Sequence, residues 1–332
     1  MDSRTKQLLI IALVAGVIFS AVKFWSSSAQ EPPVAELTPE QAFTTAKEPT
    51  SAVFSNTEVL QIQNTNQLCQ IEAIESTLDI PYQKIKKIDP NQVSLDIYYP
   101  ADKNCRDLPV MIYVHGGGWR EGDKKENIEN KVKYFTSQGF VFVSVNHRTS
   151  LETIYPIYHQ DVATAVAWVK NNIGQYGGNS ERLSLSGFSS GADIVALLST
   201  NHQFLKATDV PPTAIRCALL LDAGGYDIAK LIDEGNMTYA RAFGDKAKIL
   251  AKASPINHLS LNSYAPRFLI VTRGNLERIS DAVYFYSKLL ATGHSAQLIW
   301  ANPLSHLDVR DAVGQVDDDL ITPAITDFLL GC

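Results

Sequence analysis

Short apolar runs alternate along the chain with longer segments in which apolar residues recur at helical spacing. Residues 108–114 are continuously apolar, as in a strand buried on both faces, and residues 93–99 alternate apolar and polar positions. Further strands are predicted at 71–82, 140–146, 183–188, 215–222, 268–272 and 296–300, and helices at 127–138, 159–172, 281–292 and 317–330. This alternation predicts an α/β fold with a mostly parallel, doubly wound sheet.

The first residues have a different pattern. Arg4 and Lys6 precede an apolar run at 8–22, and a small-residue pair, Ser27 and Ala29, follows it. Residues 1–29 are therefore predicted to be a cleaved signal peptide or an uncleaved membrane anchor, with 8–25 contacting the membrane in the second case. Either alternative places the globular part in the cell envelope, in the periplasm or outside the cell.

Proline-rich residues 30–66 lack periodicity and are predicted to form a linker or a loosely held arm. Residues 67–332 are predicted to form one α/β domain, in which 226–259 is a partly helical cap insertion. The apolar content of 45% and charged content of 19% are those of a globular protein. A net charge of −6 argues against a nucleic-acid partner.

Four cysteines in an exported protein permit two disulfides. We expect a Cys69–Cys105 pair, because both residues precede the predicted core. Cys217 lies in an apolar run and is open to two interpretations, a disulfide or a buried free thiol. The cysteine spacings match no zinc-binding pattern.

The most informative motif is Gly187-Phe188-Ser189-Ser190-Gly191, which lies between a predicted strand and a predicted helix. A Gly-x-Ser-x-Gly sequence at such a junction is typical of a nucleophile elbow, with Ser189 projecting from a tight turn. A side chain at either glycine would obstruct the bend. The turn also directs the backbone N–H of Ser190 towards a developing oxyanion.

Two further segments supply partners for Ser189. Three glycines at 116–118 follow the buried strand at 108–114, and we expect Gly116 and Gly117 to complete an oxyanion hole with Ser190. His306 is the candidate base, because it lies in a predicted loop after the last strand. The other six histidines of the chain fit that position less well.

The acid that orients the histidine has three candidates. Glu277 follows the strand at 268–272 and lies between Ser189 and His306 in the chain, so it is the first choice. Asp281 is an alternative that also fits a helix cap, and Asp222 ends an earlier predicted strand.

In combination these segments resemble the α/β-hydrolase superfamily, in particular its hormone-sensitive-lipase-like and arylformamidase-like esterases. The resemblance covers about 80–331; His147 stands where the family usually has tyrosine, and Glu277 where it usually has an aspartate with a clearer local signature. The segments that carry the resemblance are 115–124, 145–148, 161–169, 177–182, the elbow and 304–306.

The resemblance implies acyl transfer to Ser189 and hydrolysis of the acyl-enzyme by water, with no metal or organic cofactor. We therefore expect a serine carboxylesterase acting on small to medium carboxylic esters. The alternatives are an arylformamidase-like amide hydrolase and, in another class, a non-catalytic binding protein of the cell envelope.

Overall fold

A computed structural model describes residues 71, 73–149 and 153–332. The predicted leader at 1–29, the predicted linker at 30–66 and Cys69 lie outside these residues. Among the described residues, no helix combines the length and the apolar character needed to cross a membrane.

The described chain forms an eight-stranded sheet with strand order β1-β2-β4-β3-β5-β6-β7-β8. The β1–β2 and β2–β4 pairs are antiparallel, and all other neighbouring pairs are parallel. This confirms the predicted mostly parallel α/β sheet. The strands are β1 (Ile74–Pro81), β2 (Ser94–Pro100), β3 (Leu108–Val114), β4 (Val141–Val145), β5 (Gly178–Phe188), β6 (Ile215–Leu221), β7 (Arg267–Thr272) and β8 (Ala296–Trp300).

The continuous apolar run of β3 is explained by cores on both faces of the sheet. Val110, Ile112 and Val114 belong to one hydrophobic cluster, whereas Met111 and Tyr113 belong to the other. Because successive side chains of a strand point to opposite faces, only an uninterrupted apolar sequence satisfies both clusters.

Ten α-helices lie within the described ranges. They are α1 (Glu129–Ser137), α2 (Ile157–Asn172), α3 (Ser190–Thr200), α4 (Gln203–Lys206), α5 (Ile228–Asp233), α6 (Met237–Phe243), α7 (Ala247–Ala253), α8 (Leu276–Ala291), α9 (His306–Ala312) and α10 (Ile321–Leu329). Helices α2, α3 and α8 contribute to the first cluster, and α1, α9 and α10 to the second.

Two helix boundaries differ from the sequence prediction and matter for the site. Helix α8 begins at Leu276 rather than at 281, because the Asn275 side chain accepts a hydrogen bond from the Arg278 N–H and caps the helix. The segment after β8, predicted as a loop, forms α9, which begins at His306. Ser305 and Asp308 cap α9 reciprocally.

The insertion at 226–259 contains α5, α6 and α7 and a short 3₁₀ helix, Pro255–His258. Helix α6 packs against the loop after β3, because Trp119 of that loop makes edge contacts with Tyr239 and Phe243. The Tyr158 hydroxyl donates to the Ala242 carbonyl oxygen over 2.9 Å. The insertion is thus held by aromatic packing and by a hydrogen bond to α2.

Cys217 on β6 forms a disulfide with Cys332, with Cα atoms 5.9 Å apart. The free-thiol interpretation of Cys217 is therefore wrong; the local apolar pattern could not indicate a partner 115 residues away. Cys105 is also disulfide-bonded, whereas Cys69, its predicted partner, lies outside the described residues.

We predict that Cys332→Ala lowers the free energy of unfolding by about 2–4 kcal/mol, since the Cys217–Cys332 bond closes a long loop in the unfolded chain. Urea unfolding under non-reducing conditions measures the difference. Trp119, Trp168 and Trp300 lie within the folded part and provide a fluorescence signal. Equal stability of the variant and the oxidised parent would contradict this assignment of stability to the disulfide.

Candidate active site

Ser189 lies at a sharp turn between the end of β5 and the start of α3. Its backbone adopts φ 53° and ψ −123°, a strained conformation for a residue other than glycine. A Cβ atom at Gly187 would collide with the backbone of Gly191, and one at Gly191 would collide with the carbonyl groups of Val114 and His115. The two glycines therefore allow the close approach that the nucleophile elbow requires.

His306 connects Ser189 to a buried carboxylate. Its Nε2 lies 2.9 Å from Ser189 Oγ, and its Nδ1 lies 2.5 Å from Asp222 Oδ2. The Phe188 ring lies 4.5 Å from the imidazole, centroid to centroid. The structure thus brings together the predicted nucleophile and the predicted base, with the base at the first residue of α9.

The carboxylate at His306 belongs to Asp222, so the first choice of Glu277 as the acid is wrong. Glu277 lies on the exposed first turn of α8. Asp281 is also excluded from this role, because it pairs with Lys230 of α5 over 2.5 Å. Asp222 follows β6, which lies directly beside β5, whereas β7 is one strand further away. The loop after β6 therefore emerges nearer to Ser189 than the loop after β7.

Two arginines that the sequence analysis did not single out bind Asp222. Arg273 Nε lies 2.7 Å from Oδ2, and Arg278 Nε lies 2.8 Å from Oδ1. Arg278 also donates from Nη2 to the Asp222 carbonyl oxygen over 2.6 Å. Burial alone would raise the pKa of Asp222, but the His306 hydrogen bond and the two guanidinium groups outweigh it and hold the pKa below its ordinary value.

The glycines at 116–118 line one cavity together with Ser189. A Cβ atom at Gly116 would lie 3.1 Å from Ser189 Cβ and 2.8 Å from the Phe188 ring. Gly117 and Gly118 have φ of 120° and 60°, backbone conformations that glycine adopts more readily than other residues. Within the described chain, the N–H groups of these glycines and of Ser190 donate to no protein acceptor. Gly118 is therefore a further candidate donor.

Two cavities adjoin the nucleophile, and Ser189 and His306 line both of them. The larger, of about 700 Å³, is further lined by Tyr113, His115, Gly116, Gly117, Gly118, Arg120, Glu121, Gly122, Glu126, Phe188, Thr238, Leu307 and Arg310. The smaller, of about 210 Å³, is further lined by Gly118, Trp119, Ser190, Asp193, Asp222, Gly224, Asn236, Thr238, Tyr239, Arg273 and Arg278.

A second buried carboxylate, Asp193, lies on α3 one turn after the nucleophile. Its Oδ1 accepts hydrogen bonds from the N–H groups of Gly224 and Gly225 over 3.0 Å and 2.8 Å, and its Oδ2 accepts one from the Tyr239 hydroxyl over 2.8 Å. Burial raises the pKa of Asp193 even though these donors oppose the shift. Asp193 therefore joins the elbow helix, the loop after Asp222 and the cap insertion.

The sheet order and the elbow are those of the α/β-hydrolase fold, and Ser189, His306 and Asp222 form a hydrogen-bonded chain within it. The BD-FAE family model matches residues 95–280, more than half of the chain. The protein belongs to the BD-FAE family.

The chain is similar to esterase LipQ of Mycobacterium tuberculosis, with 28% identity over 266 residues, covering 76% of this chain and 62% of LipQ. It spans 54–62% of the lengths of the first three curated relatives that it matches.

Among solved structures, the chain is similar to esterase B from Lactobacillus rhamnosis, with a TM-score of 0.63 and 18% identity. The match covers 78% of this chain and 85% of the esterase B chain. The match to a truncated carbohydrate esterase from gut microbiota, with a TM-score of 0.61 and 19% identity, covers 77% of this chain and 95% of the other. These similarities confirm the fold.

We predict that Tyr239→Phe lowers the free energy of unfolding by about 1–3 kcal/mol, because the buried Oδ2 of Asp193 loses its donor. Tyr226→Phe is the matched control: Tyr226 is also buried, but its hydroxyl has no hydrogen-bond partner in the described chain. Its removal should leave stability unchanged or slightly increased. Urea unfolding of both variants measures the difference, and equal losses would contradict the role given to the Asp193–Tyr239 bond.

Proposed function

We propose that this protein is a serine carboxylesterase that hydrolyses small to medium carboxylic esters through an acyl-enzyme on Ser189. The observation that carries the proposal is the position of His306, which contacts both Ser189 Oγ and Asp222 Oδ2. A non-catalytic binding protein has no need of this hydrogen-bonded chain in a strained elbow. The esterase names of the relatives support the same reaction class.

In the acylation step, His306 Nε2 accepts the proton of the Ser189 hydroxyl while Oγ attacks the ester carbonyl carbon. The carbonyl oxygen becomes an oxyanion, which the N–H groups of the glycine loop and of Ser190 stabilise. The intermediate collapses when the bond to the alkoxy oxygen breaks. His306 gives its proton to that oxygen, and the alcohol leaves.

In the deacylation step, His306 takes a proton from water as the water oxygen attacks the acyl-enzyme. The bond to Ser189 Oγ then breaks, Oγ recovers its proton from His306, and the carboxylic acid leaves. Asp222 accepts the Nδ1–H of His306 in both steps. It thereby fixes the tautomer and stabilises the imidazolium form. The two arginines support this function because they keep Asp222 ionised.

We further propose that the domain acts outside the cytoplasm, in the periplasm or the extracellular space. Support comes from the leader pattern at 1–29 and from the Cys217–Cys332 disulfide, since such bonds persist in oxidising compartments. On this proposal residues 30–66 connect the leader to the catalytic domain.

We predict that the full chain hydrolyses p-nitrophenyl esters from acetate to dodecanoate, with a decline for those acyl chains that do not fit the cavities beside Ser189. Ser189→Ala should reduce kcat by at least about 10³-fold, because no other group forms the acyl-enzyme. The release of p-nitrophenolate measures both effects. Identical rates for the parent and Ser189→Ala would show that the hydrolysis is not enzymatic and would overturn the proposal.

We predict that Asp222→Asn lowers kcat by about 10³–10⁴-fold, since asparagine cannot stabilise the imidazolium or fix the productive tautomer. Glu277→Gln and Asp281→Asn are matched controls, in which a neighbouring carboxylate becomes an amide. Both should keep kcat within about twofold of the parent, because neither carboxylate contacts His306. Circular dichroism verifies that each variant is folded. A large loss in Glu277→Gln with little loss in Asp222→Asn would refute the assignment of the acid.

A further inference from the structure

We propose that the smaller cavity is a carboxylate subsite and that the enzyme prefers esters whose acyl or alcohol part ends in a carboxylate. The inference rests on the proposed esterase function, because it assigns a substrate class to the same site. Arg273 and Arg278, the two arginines that bind Asp222, supply the cationic groups.

The first argument is the position of the cavity. Ser189, His306, Arg273 and Arg278 all line it. A substrate whose ester carbonyl lies at Ser189 Oγ can therefore reach the guanidinium groups within the same space. The volume of about 210 Å³ suits a short chain with a terminal polar group better than a long acyl tail.

The second argument is the number of unused donors. Arg273 binds Asp222 through Nε alone, so its two terminal nitrogens have no partner in the described part of the chain. Arg278 uses Nε and Nη2 but leaves Nη1 without an acceptor there. Both side chains keep solvent access, with 23% and 31% of their areas exposed. Guanidinium groups with free donors bind carboxylates through charge-assisted hydrogen bonds.

Gly224 leaves Arg278 accessible from the cavity. A Cβ atom at this position would lie 3.1 Å from Arg278 Nη1 and 3.0 Å from the Tyr239 hydroxyl oxygen. Since the glycine has no side chain, that space remains open to a ligand atom.

The third argument compares the acidic groups in the two cavities. In the smaller cavity the carboxylates are Asp222 and Asp193, and both oxygens of each already accept hydrogen bonds. In the larger cavity the cations Arg120 and Arg310 are accompanied by the exposed carboxylates of Glu121 and Glu126. Carboxylates repel an anion in both cavities, but Glu121 and Glu126 are exposed to a ligand, whereas Asp193 and Asp222 are buried and fully hydrogen-bonded. The smaller cavity is therefore the better suited to an anion.

One nearby charge opposes the proposal. The exposed Asp308, in the first turn of α9, interacts electrostatically with Arg273 but does not form an ion pair with it. Water screens an interaction of this kind between exposed groups. It weakens the attraction for a ligand carboxylate without occupying the terminal nitrogens of Arg273.

The test compares charged and neutral esters of similar size, with acid release followed in a pH-stat. In the first pair, monoethyl glutarate carries a carboxylate on the acyl side and ethyl pentanoate is its neutral counterpart. In the second pair, 4-acetoxybutanoate carries the carboxylate on the alcohol side and butyl acetate is its neutral counterpart. We expect kcat/KM to favour the charged ester by about tenfold or more in one pair, which identifies the side that enters the smaller cavity. Hydrolysis of the neutral esters without any such preference would overturn the subsite and leave the esterase proposal intact.

Arginine variants separate a ligand contact from mere support of Asp222. Arg273→Gln and Arg278→Gln should lower the charged-to-neutral ratio of kcat/KM by about fivefold or more, and Arg273→Lys should retain part of it. If the arginines only supported Asp222, both esters would lose activity equally and the ratio would not change. Arg241→Gln is the charge-matched control, because Arg241 is exposed on α6 and lines neither cavity. An equal fall of the ratio in that control would also refute the subsite.

A binding measurement does not depend on turnover. Titration calorimetry on Ser189→Ala should show tighter binding of the dicarboxylate glutarate than of the monocarboxylate pentanoate. Adding the Arg273→Gln substitution should abolish the difference in affinity. Equal binding of the two acids would contradict the proposal. If glutarate binds as expected but Ser189-dependent hydrolysis is absent, the proposed esterase function fails and the anion site remains.

Discussion

The carboxylate of Asp222 is fully buried, and three cationic or proton-donating side chains meet at its two oxygens. A buried carboxylate without partners is strongly destabilising, so this group is compatible with the fold only while its partners remain. The partners come from the segment after β7, from α8 and from α9. Their positions are therefore coupled, and the location of His306 opposite Ser189 depends on the same ion cluster that orders the edge of the sheet.

The second buried carboxylate, Asp193, extends this coupling to the cap. It receives two N–H groups from the loop that follows Asp222 and one hydroxyl from Tyr239 of the insertion. Helix α3, the loop after Asp222 and Tyr239 of α6, which lines the smaller cavity, thus share one polar network. A displacement of the cap at Tyr239 would alter the hydrogen bonds of a loop that begins at the catalytic acid. This arrangement links the shape of the cavity to the geometry of the reacting groups.

The sequence predicted the features that depend on local patterns. The apolar run of β3, the glycines around Ser189 and the position of His306 after β8 each follow from short segments, and the structure has them where they were expected. The features that it did not predict depend on distant contacts. Asp222 meets Arg273 and Arg278 across 51 and 56 residues, and the Cys217–Cys332 pair spans 115. The choice of the acid required the strand order, which places β6 next to β5 and cannot be derived from residues 215–281 alone.

The position of the acid after β6 rather than after β7 also explains which residues line the smaller cavity. The acid was expected at Glu277 in the segment after β7, but that segment contributes the cations Arg273 and Arg278 instead, and the acid lies one strand closer to Ser189. With the acid after β6, an anion after β7 would repel Asp222, whereas a cation stabilises it. Arg273 has two terminal nitrogens that Asp222 does not use, and they belong to a side chain that lines a cavity containing Ser189. The shift of the acid by one strand therefore accounts for both the support of the triad and the positive charge beside the nucleophile.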